Sequence, residues 1–211
     1  MSNRRLAAVL IVFFIILGAV FSFYFYKNTR QTDRVLAVLG NPGHKVEPFS
    51  FTNQEGQTVT NKDVDGKVYV VEYFFTTCKG ICPKMNENMN KVYRAYRGNK
   101  NFMILSHSVD PNHDTVSAMK AYSLRFDADP KQWMFLTGDK KKLYEAARYS
   151  YLISAQDDTA GVTVDQDFIH DNHFVLVDRH GRIRGKFYDG LKMDQVDTLI
   201  SDVRILLNEK Q

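Results

Sequence analysis

The stretch Val68-Tyr69-Val70-Val71-Glu72-Tyr73-Phe74-Phe75-Thr76-Thr77-Cys78-Lys79-Gly80-Ile81-Cys82-Pro83 decides how this chain reads. Its first part, Val68 to Phe75, is a near-continuous apolar run, the pattern of a strand buried in a parallel sheet. Pro83 opens the helix that follows, because a missing N–H costs nothing at the first helical position. Cys78 and Cys82 therefore stand at a strand-to-helix turn, where the helix dipole favours thiolate over thiol. They are the two cysteines of the chain. Three residues separate them, unlike the Cys-x-x-Cys redox motif. A disulfide here would close too small a loop to stabilise the fold much. The pair thus points to metal or redox chemistry, and two thiolates suit a soft metal such as Cu(I) if a third ligand comes from elsewhere.

Outward from this run, the pattern predicts a domain of alternating elements. Val46–Thr52 and Gln57–Thr60 read as a hairpin around Asn53-Gln54-Glu55-Gly56. Lys67–Phe75 is a strand and Pro83–Arg97 a helix, with Met85, Met89, Val92, Tyr93 and Tyr96 at helical spacing. Both methionines read as core despite their soft sulfurs. Phe102–Val109 is a second buried strand, followed by a helix over Thr115–Phe126 carrying Val116, Met119, Tyr122 and Leu124. Trp133–Leu136 is a strand and Asp139–Tyr149 a helix. The acidic loop Ser154–Asp167 is long enough to be functional or mobile. Phe174–Val177 and Ile183–Tyr188 form a hairpin around Asp178-Arg179-His180-Gly181, and Met193–Leu207 is an amphipathic helix. A hairpin, a βαβ unit, a second hairpin and a closing helix make an α/β, thioredoxin-like sandwich.

The N-terminus adds a different element. Leu6 to Tyr26 is uncharged over 26 − 6 + 1 = 21 residues, about 31 Å of helix, enough to cross a bilayer. Phe23 to Tyr26 form an aromatic belt, and Arg4 and Arg5 favour a cytoplasmic N-terminus. No small-x-small cleavage site follows the run. The expected organisation is a membrane anchor over residues 1–27, a linker over 28–45 and the sandwich domain over 46–211. It places the domain on the periplasmic side of a bacterial inner membrane. The net charge of +4 comes from scattered basic residues. The run Lys140-Lys141-Lys142 reads as a solvated helix face, and no aromatic-and-basic stripe suggests a nucleic-acid partner.

Six histidines could supply a third ligand. His44 falls in the linker, His113 in a loop and His180 in a hairpin turn, while His107 reads as a strand residue. His170 and His173, in Asp167-Phe168-Ile169-His170-Asp171-Asn172-His173, enter the second hairpin at the sheet edge beside the cysteine turn. Either could complete an S₂N site.

The segments Phe75–Pro83, Ser108-Val109-Asp110-Pro111-Asn112-His113-Asp114-Thr115, and His170 ahead of Phe174–Ile183 resemble the Sco/SenC family of copper-binding assembly proteins for cytochrome c oxidase. The resemblance implies copper held by Cys78, Cys82 and His170. It prefers His170 over His173 through a His-to-Gly spacing of 181 − 170 = 11. Two sites depart from many relatives: the pair Lys79-Gly80 after the first cysteine, and Ile169 before the ligand histidine. The implied function is that of a membrane-anchored copper chaperone or thiol–disulfide reductant, a metallochaperone more than an enzyme. Its implied partners are the copper-site subunit of the oxidase and a copper donor or thiol reductant. The alternative is a metal-independent thiol–disulfide oxidoreductase or redox sensor. A thiol peroxidase is disfavoured because the Thr-x-x-Cys spacing is absent.

Overall fold

The computed structural model describes residues 3–30, 34–153 and 171–209. Two compact units divide the chain, one reaching Val35 and the other spanning Leu36–Glu209. In the first, helix α1 (Asn3–Arg30) carries exposed apolar side chains such as Phe13, Ile15 and Phe21. Among the described residues no helix is long and apolar enough to cross a membrane, so the span expected over Leu6–Tyr26 rests on the sequence.

The second unit is the thioredoxin-like α/β sandwich. Its strands are β1 (Ser50–Asn53), β2 (Thr58–Thr60), β3 (Val68–Phe74), β4 (Phe102–Ser108), β5 (Trp133–Thr137), β6 (His173–Val177) and β7 (Ile183–Asp189). They form one sheet in the order β2-β1-β5-β4-β3-β6-β7. β3 pairs with β4 in parallel, from Val68 opposite Phe102 to Phe74 opposite Ser108, and with β6 antiparallel. Every residue of β3 and β4 is buried, as their continuous apolar runs require.

Alternation along β3 divides the core. Val68, Val70 and Phe74 face a layer built from α3 (Cys82–Tyr96), α4 (Val116–Ser123) and α6 (Met193–Asn208). Tyr69, Val71 and Tyr73 face α2 (Asn61–Val64) and α5 (Lys140–Glu145). Met85 and Met89 are fully buried in the first layer, which is the packing role their spacing predicts.

Several boundaries differ from the sequence reading. The first hairpin is shorter: Val46 and Phe49 bond to Gly181 and Asn61 instead of joining β1. The helix expected to Phe126 tightens into a 3₁₀ turn at Leu124, leaving that side chain 70% exposed. α5 is capped by Asp139 and passes into a π-helical turn over Ala146–Ser150. Residues 36–39, expected as linker, lie along β7 instead. Gly185 N–H donates to Ala37 O, Leu39 N–H donates to Ile183 O, and Val38 bridges Arg184 antiparallel. Gly185 has φ +80°, and a Cβ there would collide with the Tyr188 hydroxyl, so only glycine fits this irregular part of the edge.

Candidate metal and thiol site

β3 delivers the chain to the site. After Phe74 it turns, and the Cys78 N–H donates to Phe75 O at 3.3 Å. Cys82 is the first residue of α3, with Pro83 behind it. Both cysteines are free thiols, close enough that Cys78 acts on the pKa of Cys82. Cys78 is half-buried and Cys82 only 4% exposed. They border a cavity of about 330 Å³ with Tyr73, Phe75, Ile81 and Val109, walled almost wholly by apolar atoms.

The dipole expectation fails at Cys82. Burial pushes its pKa up to about 12, with the hydrogen bond to Cys78 and the charges of Cys78 and Glu72 acting in the same direction. Desolvation of a thiolate in an apolar pocket exceeds what one helix end can return. No cationic group figures among the influences on this thiol.

Glu72 is the acidic group beneath the pair, on the β3 face that packs with Cys82. It is fully buried. Its Oε1 accepts from Ser106 Oγ at 2.6 Å, directly across the ladder, and Ser106 Oγ accepts from Trp133 Nε1 at 2.8 Å. Oε2 has no partner among the described residues. Burial raises its pKa to about 8, the Ser106 bond offsetting part of the shift. The sequence reading missed this residue. Equal seven-residue strands, aligned end to end, would have placed Glu72 opposite Ser106.

The second loop of the site follows β4. Asp114, fully buried, accepts from Thr76 N at 3.0 Å, from Thr76 Oγ1 at 2.5 Å and from Ser108 Oγ at 2.5 Å. Nearby, His113 Nδ1 lies 2.8 Å from Asp110 Oδ2 on the surface.

The histidines separate clearly. His44 Nε2 bonds to Ser150 O at 3.0 Å, and the His180 backbone to the Asp178 carboxylate. His107 is fully buried between Tyr73, Phe51 and Tyr151, with neither ring nitrogen bonded among the described residues. Burial lowers its pKa to about 3. His173 opens β6 on the face of Val175 and Val177, opposite the Cys82 layer. Its Nδ1 lies 3.1 Å from Asp171 Oδ1 and its ring meets Phe187 edge-on. His170 lies outside the described residues, as does the acidic loop before it. Asp171, the next residue, lines the thiol cavity. Among the described residues no three metal-binding side chains converge. The described donors are therefore two neighbouring sulfurs at a largely apolar pocket, with Lys79 and Asp171 at its lining, a set that suits a thiophilic ion and needs one more ligand.

A family model described as SCO1/SenC matches residues 39–207. A SCO1 protein homolog of Bacillus subtilis is 31% identical over 163 residues, covering 76% of this chain and 82% of its own. The structure of BsSco, described as a member of the Sco family of cytochrome c oxidase assembly proteins with a disulfide switch, has TM-score 0.65 and 28% identity. It covers 82% of this chain and 99% of its own. Bradyrhizobium japonicum ScoI, solved with copper bound, has TM-score 0.59 and 25% identity, over 77% of this chain and 99% of its own. With the thiol turn, the sheet order and these likenesses in agreement, the chain belongs to the SCO1/SenC family.

Proposed function

We propose that the protein carries copper on Cys78, Cys82 and His170 and serves the assembly of the binuclear copper site of a cytochrome c oxidase. The observation that carries this reading is the pair of neighbouring free thiols at a largely apolar cavity, with no positive charge among the influences on the buried Cys82 thiol. A bound copper ion would supply that positive charge and offset the burial penalty on Cys82. The likeness to ScoI with copper bound supports the metal. Asp171 at the cavity supports His170, its neighbour, as third ligand, while the side chain of His173 is directed to the other layer. Copper is the cargo: the thiolates hold it with a neutral imidazole, and acceptor thiols take it by ligand exchange.

The same pair can also work as a reductant, passing electrons to an acceptor disulfide by thiol exchange. The likeness to BsSco, with its disulfide switch, favours this second role. The partners in this reading are the copper-site subunit of the oxidase and a copper donor or thiol reductant. The uncharged run Leu6–Tyr26 and Arg4/Arg5 support a single-pass anchor with the domain on the periplasmic side of the inner membrane.

Anaerobic Cu(I) titration tests the site. One ion per chain is expected, lost in Cys78→Ser and Cys82→Ser, weakened in His170→Ala and retained in His173→Ala. Parent affinity in His170→Ala would remove the third ligand, and no binding at all would leave the metal-free oxidoreductase. A C-terminal alkaline phosphatase fusion tests the topology and should be active.

A further inference from the structure

Asp114 is placed as no loop-capping aspartate needs to be. It is fully buried in the β4–α4 connection, and its recorded side-chain bonds come from neutral donors. Two of the three reach across 38 residues of sequence to Thr76, by backbone N–H and by hydroxyl. The third ties it to Ser108, whose Oγ also accepts from Asp110 N–H at 2.9 Å. Burying a carboxylate is costly unless its lone pairs are used, and here they are used on the thiol loop. Within residues 75–79 the Cys78 N–H closes on Phe75 O through a long bond of 3.3 Å. Charge-assisted bonds such as those to Asp114 are the stronger kind.

We infer that Asp114 is a positioning residue for Cys78, clamping Thr76 so that the Cys78 sulfur is held against Cys82. The inference rests on the reading of Cys78 as a working thiol. Two sulfurs held in contact form a disulfide, or share an ion, with little further ordering, and freeing one loop forfeits that advantage. In the disulfide reaction each cysteine gives up one proton and one electron, a bond forms between Sγ of Cys78 and Sγ of Cys82, and the oxidant, a disulfide, is cleaved to two thiols. Looser placement of Cys78 moves that equilibrium toward the dithiol and weakens Cu(I) binding together with it.

The test uses the full chain in detergent, with Thr76→Val, Thr76→Ser and Asp114→Asn. Three quantities are measured: the equilibrium constant of the pair against glutathione, Cu(I) affinity by chelator competition, and the thermal midpoint. Thr76→Val and Asp114→Asn should lower both constants by about tenfold, the worth of one hydrogen bond to a charged group, and Thr76→Ser should restore them. Thr76→Val should do so with little change in midpoint, which a purely structural role would not produce. If Asp114→Asn fails to fold, the Thr76 pair decides. Parent constants in Thr76→Val, or equal losses in Thr76→Ser and Thr76→Val, would overturn the inference. A parent chain that neither binds Cu(I) nor forms the disulfide would instead sink the proposed function. The rate of Cys78 alkylation in parent and Thr76→Val would then still report on the clamp, faster in the variant if it holds and equal if it does not.

Discussion

Glu72 and Asp178 are both buried carboxylates, one in β3 beneath the thiols and one in the β6–β7 turn, and the protein treats them in opposite ways. Asp178 receives Arg184 and Arg182 at 2.8 Å and two backbone N–H groups from His180 and Arg182. Burial pulls its pKa up, but the Arg184 and Arg182 bonds outweigh that, and the net shift is downward. Glu72 receives one hydroxyl, keeps one oxygen unpartnered among the described residues, and has its pKa raised. At the far edge of the sheet a buried charge is fully paired and serves the fold. Beneath Cys78 and Cys82 a buried acid is left under-satisfied, a cost that stability alone does not explain.

Removing the pairing at the edge should have the largest effect. Arg184→Met leaves Asp178 buried with Arg182 as its remaining cation and also frees Leu36 O and Glu209. Breaking a buried pair from one side costs about 3–5 kcal/mol, read as a fall in the urea midpoint at constant m-value. A loss below about 1 kcal/mol would make this edge no different from a surface pair.

The pH dependence sharpens the contrast. Glu72 holds its proton in the folded state up to about pH 8, whereas the unfolded chain releases it near 4.3. The folded state binds more protons in that window, so stability should fall as pH rises through it and level off above about 8. Glu72→Gln should flatten this slope of a few kcal/mol. Asp178, with its lowered pKa, acts oppositely: its stabilisation is present above the ordinary carboxylate range and is lost as pH falls through its folded value. Denaturation curves of both proteins across pH 5–9 decide it, and an unchanged slope in Glu72→Gln would mean that Glu72 is not the group.

Smaller effects bear on the thiol end. Cys82 is buried with its pKa at about 12, so iodoacetamide at pH 8 should label Cys78 at least about tenfold faster, since the thiolate is the nucleophile. Mass mapping of partly alkylated protein reads this directly, and equal labelling would contradict the burial. The smallest change belongs to His173→Ala. Its half-exposed pairing with Asp171 is worth under about 1 kcal/mol, measurable as a slight shift in the urea midpoint.

The sequence made the central strands legible because burial on both faces imposes continuous apolar runs on β3 and β4, and Pro83 marks where α3 starts. The cysteine turn followed from these local signals. Glu72 and Asp114 were illegible for the same physical reason: each owes its role to a partner on another element, Ser106 across the ladder and Thr76 across 38 residues. The raised pKa of Cys82 could not be read either, since local sequence shows the dipole but not the depth of burial. Residues 36–39 looked like linker because their pairing is decided by Arg184 and Gly185 on β7. His170 lies outside the described residues, and its place in the site comes from resemblance.

Arg184 has a mechanical consequence. One guanidinium holds Leu36 O at the head of the domain and Glu209 at its tail, on edge strand β7. β3, which leads into the thiol turn, lies two strands further in. A pull along the N-terminal segment would therefore meet the Arg184 bridge at the margin of the sheet before reaching the strand that leads into the thiol loop.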